Sequence, residues 1–120
     1  MDRRTIPSEA EAAVIYLASP YSDPDPAVQA ARFRLACAAV AKMLRAGEHV
    51  WSPIAHCHPV AMLHDLPTDF EFWRAYNRDT LERCDRMVVL KLEGWDRSVG
   101  VAGEIEMARE MGISVEYREP

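Results

Sequence analysis

Apolar residues in this chain fall into two alternating rhythms. The near-continuous runs Val14-Ile15-Tyr16-Leu17-Ala18 and Met87-Val88-Val89-Leu90-Lys91-Leu92 are short, β-branched and closed by turn formers. They predict strands buried on both faces. His49-Val50-Trp51, stopped by Ser52-Pro53, and Ile113-Ser114-Val115-Glu116-Tyr117 predict two more. Between them the spacing lengthens to three and four: Val28, Ala31, Leu35, Ala39 and Met43 predict a helix opened by Pro26, N-capped by Asp25 and ended by Gly47. Phe72, Trp73, Tyr76, Thr80, Leu81 and Cys84 predict a second helix, capped by Thr68 or Asp69 and running through Arg83. Ile105 and Ala108 share one face of a third, from about Val101 to Met111, with Gly112 at its C-terminal end. The histidine- and proline-rich stretch Ile54 to Leu66 reads as a loop with one helical turn.

Strands alternating with helices imply right-handed crossovers and a parallel sheet, hence an α/β fold with three layers, α/β/α, around four strands or five. Residues 1–13 carry no strong pattern and form a leader without an assigned role, and residues 14–120 form one domain. In open parallel sheets, ligands bind beyond the carboxyl ends of the strands near the switch in strand order. Three loops fit that place: Ser19 to Asp25, Ser52 to His58, and Glu93 to Glu104.

Composition narrows the classes of function. The 120 residues are 49% hydrophobic and 28% charged, ordinary for a globular domain. A net charge of −5 argues against a protein built to track a nucleic-acid backbone, although a small phosphate remains compatible. Cys37, Cys57 and Cys84 are odd in number, widely spaced and lack a CxxC, which points to reduced thiols and a cytoplasmic address. No run is long enough to span a membrane, and the first residues lack the apolar core of a signal peptide.

The third loop carries the most chemistry. Ser98-x-Gly100 leads into a helix N-terminus, whose free N–H groups and dipole favour an anion, and Gly100 and Gly103 would let a phosphate or sugar approach the backbone. An ordinary serine-capped turn fits the same residues. Glu104 lies within the first two turns of that helix, and Glu106, about 200° round the axis, cannot share its direction. His56-Cys57-His58, with His64 nearby, has metal-ligating side chains, but neighbouring ligands diverge and no second pair has finger-like spacing. No metal or other cofactor is expected, and His56 or His58 serves better as a ligand-contacting wall. Asp85 reads as a turn cap into the third strand. Phe70, Phe72, Trp73 and Tyr76 suit either a core or subunit interface, or a surface on which a base stacks. Tyr16 can be core with its hydroxyl emerging at the site.

Three segments in order carry a resemblance: Ile15-Tyr16-Leu17-Ala18-Ser19-Pro20, then Asn77 to Asp85 running into Met87-Val88-Val89-Leu90, then Ser98-x-Gly100-x-x-x-Glu104-Ile105-x-x-Ala108. Together they resemble the nucleoside 2-deoxyribosyltransferase-like superfamily from Val14 to Tyr117. The Ser19-Pro20-Tyr21-Ser22 start, Ser52-Pro53-Ile54-Ala55-His56-x-His58-Pro59 and Gly94-Trp95-x-x-Ser98-x-Gly100-Val101 look like the DUF1937 family, a bacterial and phage branch without an assigned activity. The resemblance implies a flavodoxin-like Rossmann variant with strand order near 2-1-3-4 and a homodimer or higher homo-oligomer. It implies a small-molecule nucleoside or nucleotide as ligand, with Ser19, Pro20, His56, His58, Asn77, Asp96, Ser98 and Gly100 around it. In characterised relatives a glutamate at the place of Glu104 attacks the anomeric carbon and forms a covalent glycosyl-enzyme. Ser98 would help bind a 5′-phosphate, Tyr16 would orient Glu104, and Asp79 would be the acid that assists the leaving base. A strict alignment puts Asn77 in that acid's place, and an asparagine donates no acidic proton.

Overall fold

The computed structural model describes residues 13–120; of the leader expected over residues 1–13, all but Ala13 lie outside the described residues. Four strands, β1 (Val14–Ala18), β2 (His49–Trp51), β3 (Arg86–Leu90) and β4 (Ser114–Arg118), form one sheet in the order β2-β1-β3-β4, every pair parallel. Four helices connect and cover them: α1 (Pro26–Arg45), α2 (Pro53–His64), α3 (Phe70–Glu82) and α4 (Val99–Glu110). The result is the expected three-layer α/β/α arrangement in flavodoxin-like order. Four strands, not five, are present among the described residues.

Strand alternation divides the core. Tyr16, Ala18, Met87 and Val89 point to one face, where Leu81, Val101, Met107 and Ala108 from α3 and α4 cover them. Ile15, Leu17, Val88 and Leu90 point to the other, against Ala39, Val40 and Met43 of α1. Both faces of β1 and β3 are therefore sealed, which is why these strands read as unbroken apolar runs. Asp85 locks the start of the sheet: its carboxylate accepts from the Val14 N–H at 2.7 Å, and its own N–H donates to the Val14 carbonyl at 2.8 Å.

Two expectations change. The stretch after β2 is a twelve-residue helix rather than a loop with one turn. Ser52 caps it by accepting the Ala55 N–H at 3.1 Å, and Pro53 occupies the first turn, where no N–H is needed. Ile54, Cys57 and Ala61, at helical spacing, bury its inner side, and that burial outweighs the internal Pro59. One member of the expected α1 stripe also departs: Leu35 is 50% exposed while Ala36 is fully buried, and Ala39 and Met43 face the sheet as expected.

Candidate functional site

β1 pairs with β2 on one side and with β3 on the other, so the loops leaving β1 and β3 part above the sheet. Beneath that parting lies a cleft of about 560 Å³. The N-terminal ends of α2, α3 and α4 all reach it, each started by a side-chain cap: Ser52, Asp69 and Ser98. Ser98 accepts the Val101 N–H at 3.1 Å, and its hydroxyl hydrogen remains able to donate. Ser98 thus acts both as the serine cap and as part of the cleft wall.

Glu104 lies on the buried side of α4, in line with Val101 and Ala108, and reaches the cleft from within the core. It is 5% exposed, whereas Glu106 faces solvent. The Tyr16 hydroxyl, entirely buried on β1, donates to the Glu104 carboxylate. Burial pushes the Glu104 carboxyl up to about 8, the Tyr16 hydrogen bond partly opposing it. Burial first, and then the neighbouring Glu104, hold the Tyr16 hydroxyl well above its ordinary value, so it stays a donor. Cys57, also lining the cleft, is pushed to about 11 by burial and by Glu104, which keeps it a neutral thiol.

Of the residues anticipated around a ligand, Ser19, His58, Asn77, Ser98, Gly100 and Glu104 line this cleft. Two of them are buried with an unsatisfied atom: the Ser19 Oγ and the Asn77 Oδ1 have no hydrogen-bond partner. Buried polar groups without partners are rare in folded chains and mark a place where a ligand or solvent completes the set. His58 accepts or donates a hydrogen bond with the Tyr21 hydroxyl and stacks on Phe33 at 4.4 Å between ring centroids.

The remaining anticipated residues lie elsewhere. Asp79 is exposed on α3, about 200° round the helix from Asn77, and does not reach the cleft. Asp79 is thus not placed where an acid could assist a leaving base in this cleft, and Asn77 takes the cleft-facing position. His56 is exposed and lies between Trp51, to which it is tilted, and Tyr76, whose ring is parallel to it, outside the cleft. Asp96 is exposed and pairs with Arg97 at 3.6 Å. Pro20 is fully buried and does not line the cleft. Tyr16 does not line the cleft and is linked to it by its hydrogen bond to Glu104. Gly103 meets protein rather than ligand: a Cβ there would come within 2.5 Å of the Phe70 ring, so the glycine seats Phe70. On α2, His56, Cys57 and His58 fan apart at 100° per residue, and no group of three metal-ligating side chains gathers among the described residues.

The family model described as a domain of unknown function, DUF1937, matches residues 13–119. The chain belongs to the DUF1937 family. No curated protein matches it. The matched span covers every element of the DUF1937 fold described above, including all three loops that shape the cleft. No helix among the described residues is long and apolar enough to cross a membrane.

Sequence reasoning passed over Arg32 and Arg97, both of which line the cleft of this DUF1937 chain.

Proposed function

We propose that this protein cleaves or transfers the N-glycosidic bond of a small-molecule nucleoside or nucleotide, with Glu104 as nucleophile. The observation that carries the reading is a carboxylate buried at a ligand-sized cleft, held by one hydroxyl, in the second turn of a helix whose N-terminus opens on the same cleft. Ionised Glu104 attacks C1′ of the sugar; the C1′–N bond breaks and its electron pair leaves with the base, which takes a proton from water. Water or a second base then attacks C1′, gives up its proton and releases Glu104. Tyr16 is a positioning residue that orients the carboxylate and favours its charged form. Ser19, Asn77, Ser98 and Gly100 contact the ligand, and His58 forms part of the wall.

With Asp79 outside the cleft and Asn77 facing it, the acid that the resemblance implies has no counterpart at its own place. That observation favours, as a second reading, a noncatalytic nucleotide-binding or sensing module on the same fold. Both readings place the protein in the cytoplasm, without a nucleic-acid polymer or membrane as partner, and as a homodimer or higher homo-oligomer. Exposed apolar side chains support the assembly: Val60, Met62 and Leu63 on α2, and Phe72 and Tyr76 on α3. Incubation with nucleosides and their 5′-monophosphates, followed by chromatography for free base, separates the two readings. Release by the wild type and its loss in Glu104→Gln supports the enzyme; binding without release supports the module.

A further inference from the structure

One face of α2 lines the cleft: Ile54, Cys57, His58 and Ala61 recur at three- and four-residue spacing and all reach it. His58 is the imidazole on that face, and two other elements fix its ring. Its Nδ1 shares a hydrogen bond with the Tyr21 hydroxyl in the loop after β1, and the ring stacks on Phe33 of α1 at 4.4 Å between centroids. Tyr21 is itself held. Arg32 donates to the carbonyls of Tyr21 at 3.4 Å and Ser22 at 3.0 Å, and the Ser22 hydroxyl donates to the Thr68 carbonyl at 2.7 Å. These contacts occupy Nδ1 and one ring face, and leave the His58 Nε2 without a hydrogen bond among the described residues.

The acidic side chains of the cleft are already committed. Asp23 accepts the Asp25 N–H at 2.9 Å, Asp69 accepts the Phe72 N–H at 3.3 Å, Glu71 pairs with Arg74 at 3.3 Å, and Glu104 is held by Tyr16. Burial and then Glu104 raise the Cys57 thiol to about 11, and burial and then Cys57 raise the Tyr21 hydroxyl. Glu104, Cys57 and Tyr21 are therefore close enough to feel one another in turn, which sets the Tyr21–His58 pair on the same side of the cleft as the carboxylate. Burial lowers His58, so its ring is neutral at neutral pH and able to take a proton.

We infer that His58 is the general base that deprotonates the acceptor in the second half of the proposed reaction, with Tyr21 and Phe33 as its positioning residues. The inference rests on the glycosidic reading and supplies the proton acceptor that this reading leaves open. His58 Nδ1–H donates to the Tyr21 hydroxyl oxygen, which leaves the lone pair on Nε2. As water attacks C1′ of the glycosyl-enzyme, its oxygen forms the new bond and Nε2 takes its proton. The bond from C1′ to the Glu104 oxygen breaks, and its electron pair returns to the carboxylate. The imidazolium then gives its proton to solvent, neutralising the hydroxide left when the departing base took a proton from water. A second base acting as acceptor loses its N–H proton to the same nitrogen.

Rapid-quench measurement of base release tests this in wild type, His58→Gln and Tyr21→Phe, each with and without added azide, on the nucleoside or 5′-monophosphate that the wild type cleaves. In His58→Gln about one equivalent of base appears at the wild-type rate, and steady release then falls about 100-fold or more. Azide attacks C1′ without needing to lose a proton, so it restores steady release in His58→Gln and yields a glycosyl azide detectable by mass spectrometry. A merely structural loss would gain nothing from azide. Tyr21→Phe shows a smaller fall, about 10-fold, with the same rescue, and carries the test if His58→Gln does not fold. Steady release at the wild-type rate in both variants, an initial burst that falls along with the steady rate, or a loss that azide leaves in place would each overturn the inference while Glu104 kept its role. No base release by the wild type would instead sink the glycosidic reading, and this inference with it.

Discussion

At the Glu104 carboxylate two forces oppose each other: burial favours the protonated acid, and the Tyr16 hydroxyl favours the anion. Burial wins, so Glu104 is mostly protonated at neutral pH, and a nucleophilic role requires the ionised fraction. The rate at low substrate, kcat/KM, is therefore expected to rise with pH and level off above about 8. Tyr16→Phe removes the interaction that favours the anion, so the rise should move to higher pH; an unmoved profile would remove Tyr16 from the account. The same shift has a sign in stability. The folded-state value lies above the unfolded one, so the folded protein holds the proton more tightly. Below about pH 4.5 both states are protonated; between there and about 8 the unfolded state alone ionises, and stability falls with rising pH. The fall attributable to Glu104 is on the order of 5 kcal/mol. Glu104→Gln cannot ionise and should escape it, so thermal melts of variant and wild type should diverge as pH rises from 5 to about 8. Parallel curves would contradict the buried-acid description.

Helix caps and one close approach decide how the elements meet the cleft. Gly103 sits inside α4, where alanine would ordinarily favour the helix by about 1 kcal/mol. In this position its Cβ meets the Phe70 ring at 2.5 Å, so Gly103→Ala should instead destabilise by about 1 to 3 kcal/mol in urea unfolding, because Phe70 must leave its seat. The strands were legible because both their faces are buried, which writes them as unbroken apolar runs. The α2 helix was hidden by its histidines and Pro59, although Ile54, Cys57 and Ala61 already stood at helical spacing. In α1 the expected stripe misplaced one member, Leu35: spacing alone does not separate it from its neighbour Ala36, and packing buries the alanine. Glu104 and Ser98 were legible from the loop and helix around them. That Asp79 misses the cleft and Asn77 reaches it follows from a helix rotation fixed by tertiary packing.

For the molecule as a whole, the strand order places the cleft, and long-range pairing decides which charges there stay available. The exposed apolar side chains of α2 and α3 predict self-association: sedimentation velocity should give a dimer or larger species rather than the 13.6 kDa chain, and Leu63→Lys, at 80% exposure, should weaken it without lowering stability. A monomer at tens of micromolar would contradict the proposed assembly. The central claim is that the buried Glu104 of this cleft breaks an N-glycosidic bond. Chromatographic quantitation of free base from nucleosides and their 5′-monophosphates, with wild type and Glu104→Gln in parallel at about pH 8, tests it most directly. The account predicts base release by the wild type and a fall of roughly a thousandfold or more in the variant; equal release by both, or nucleotide binding with no release by either, would contradict it.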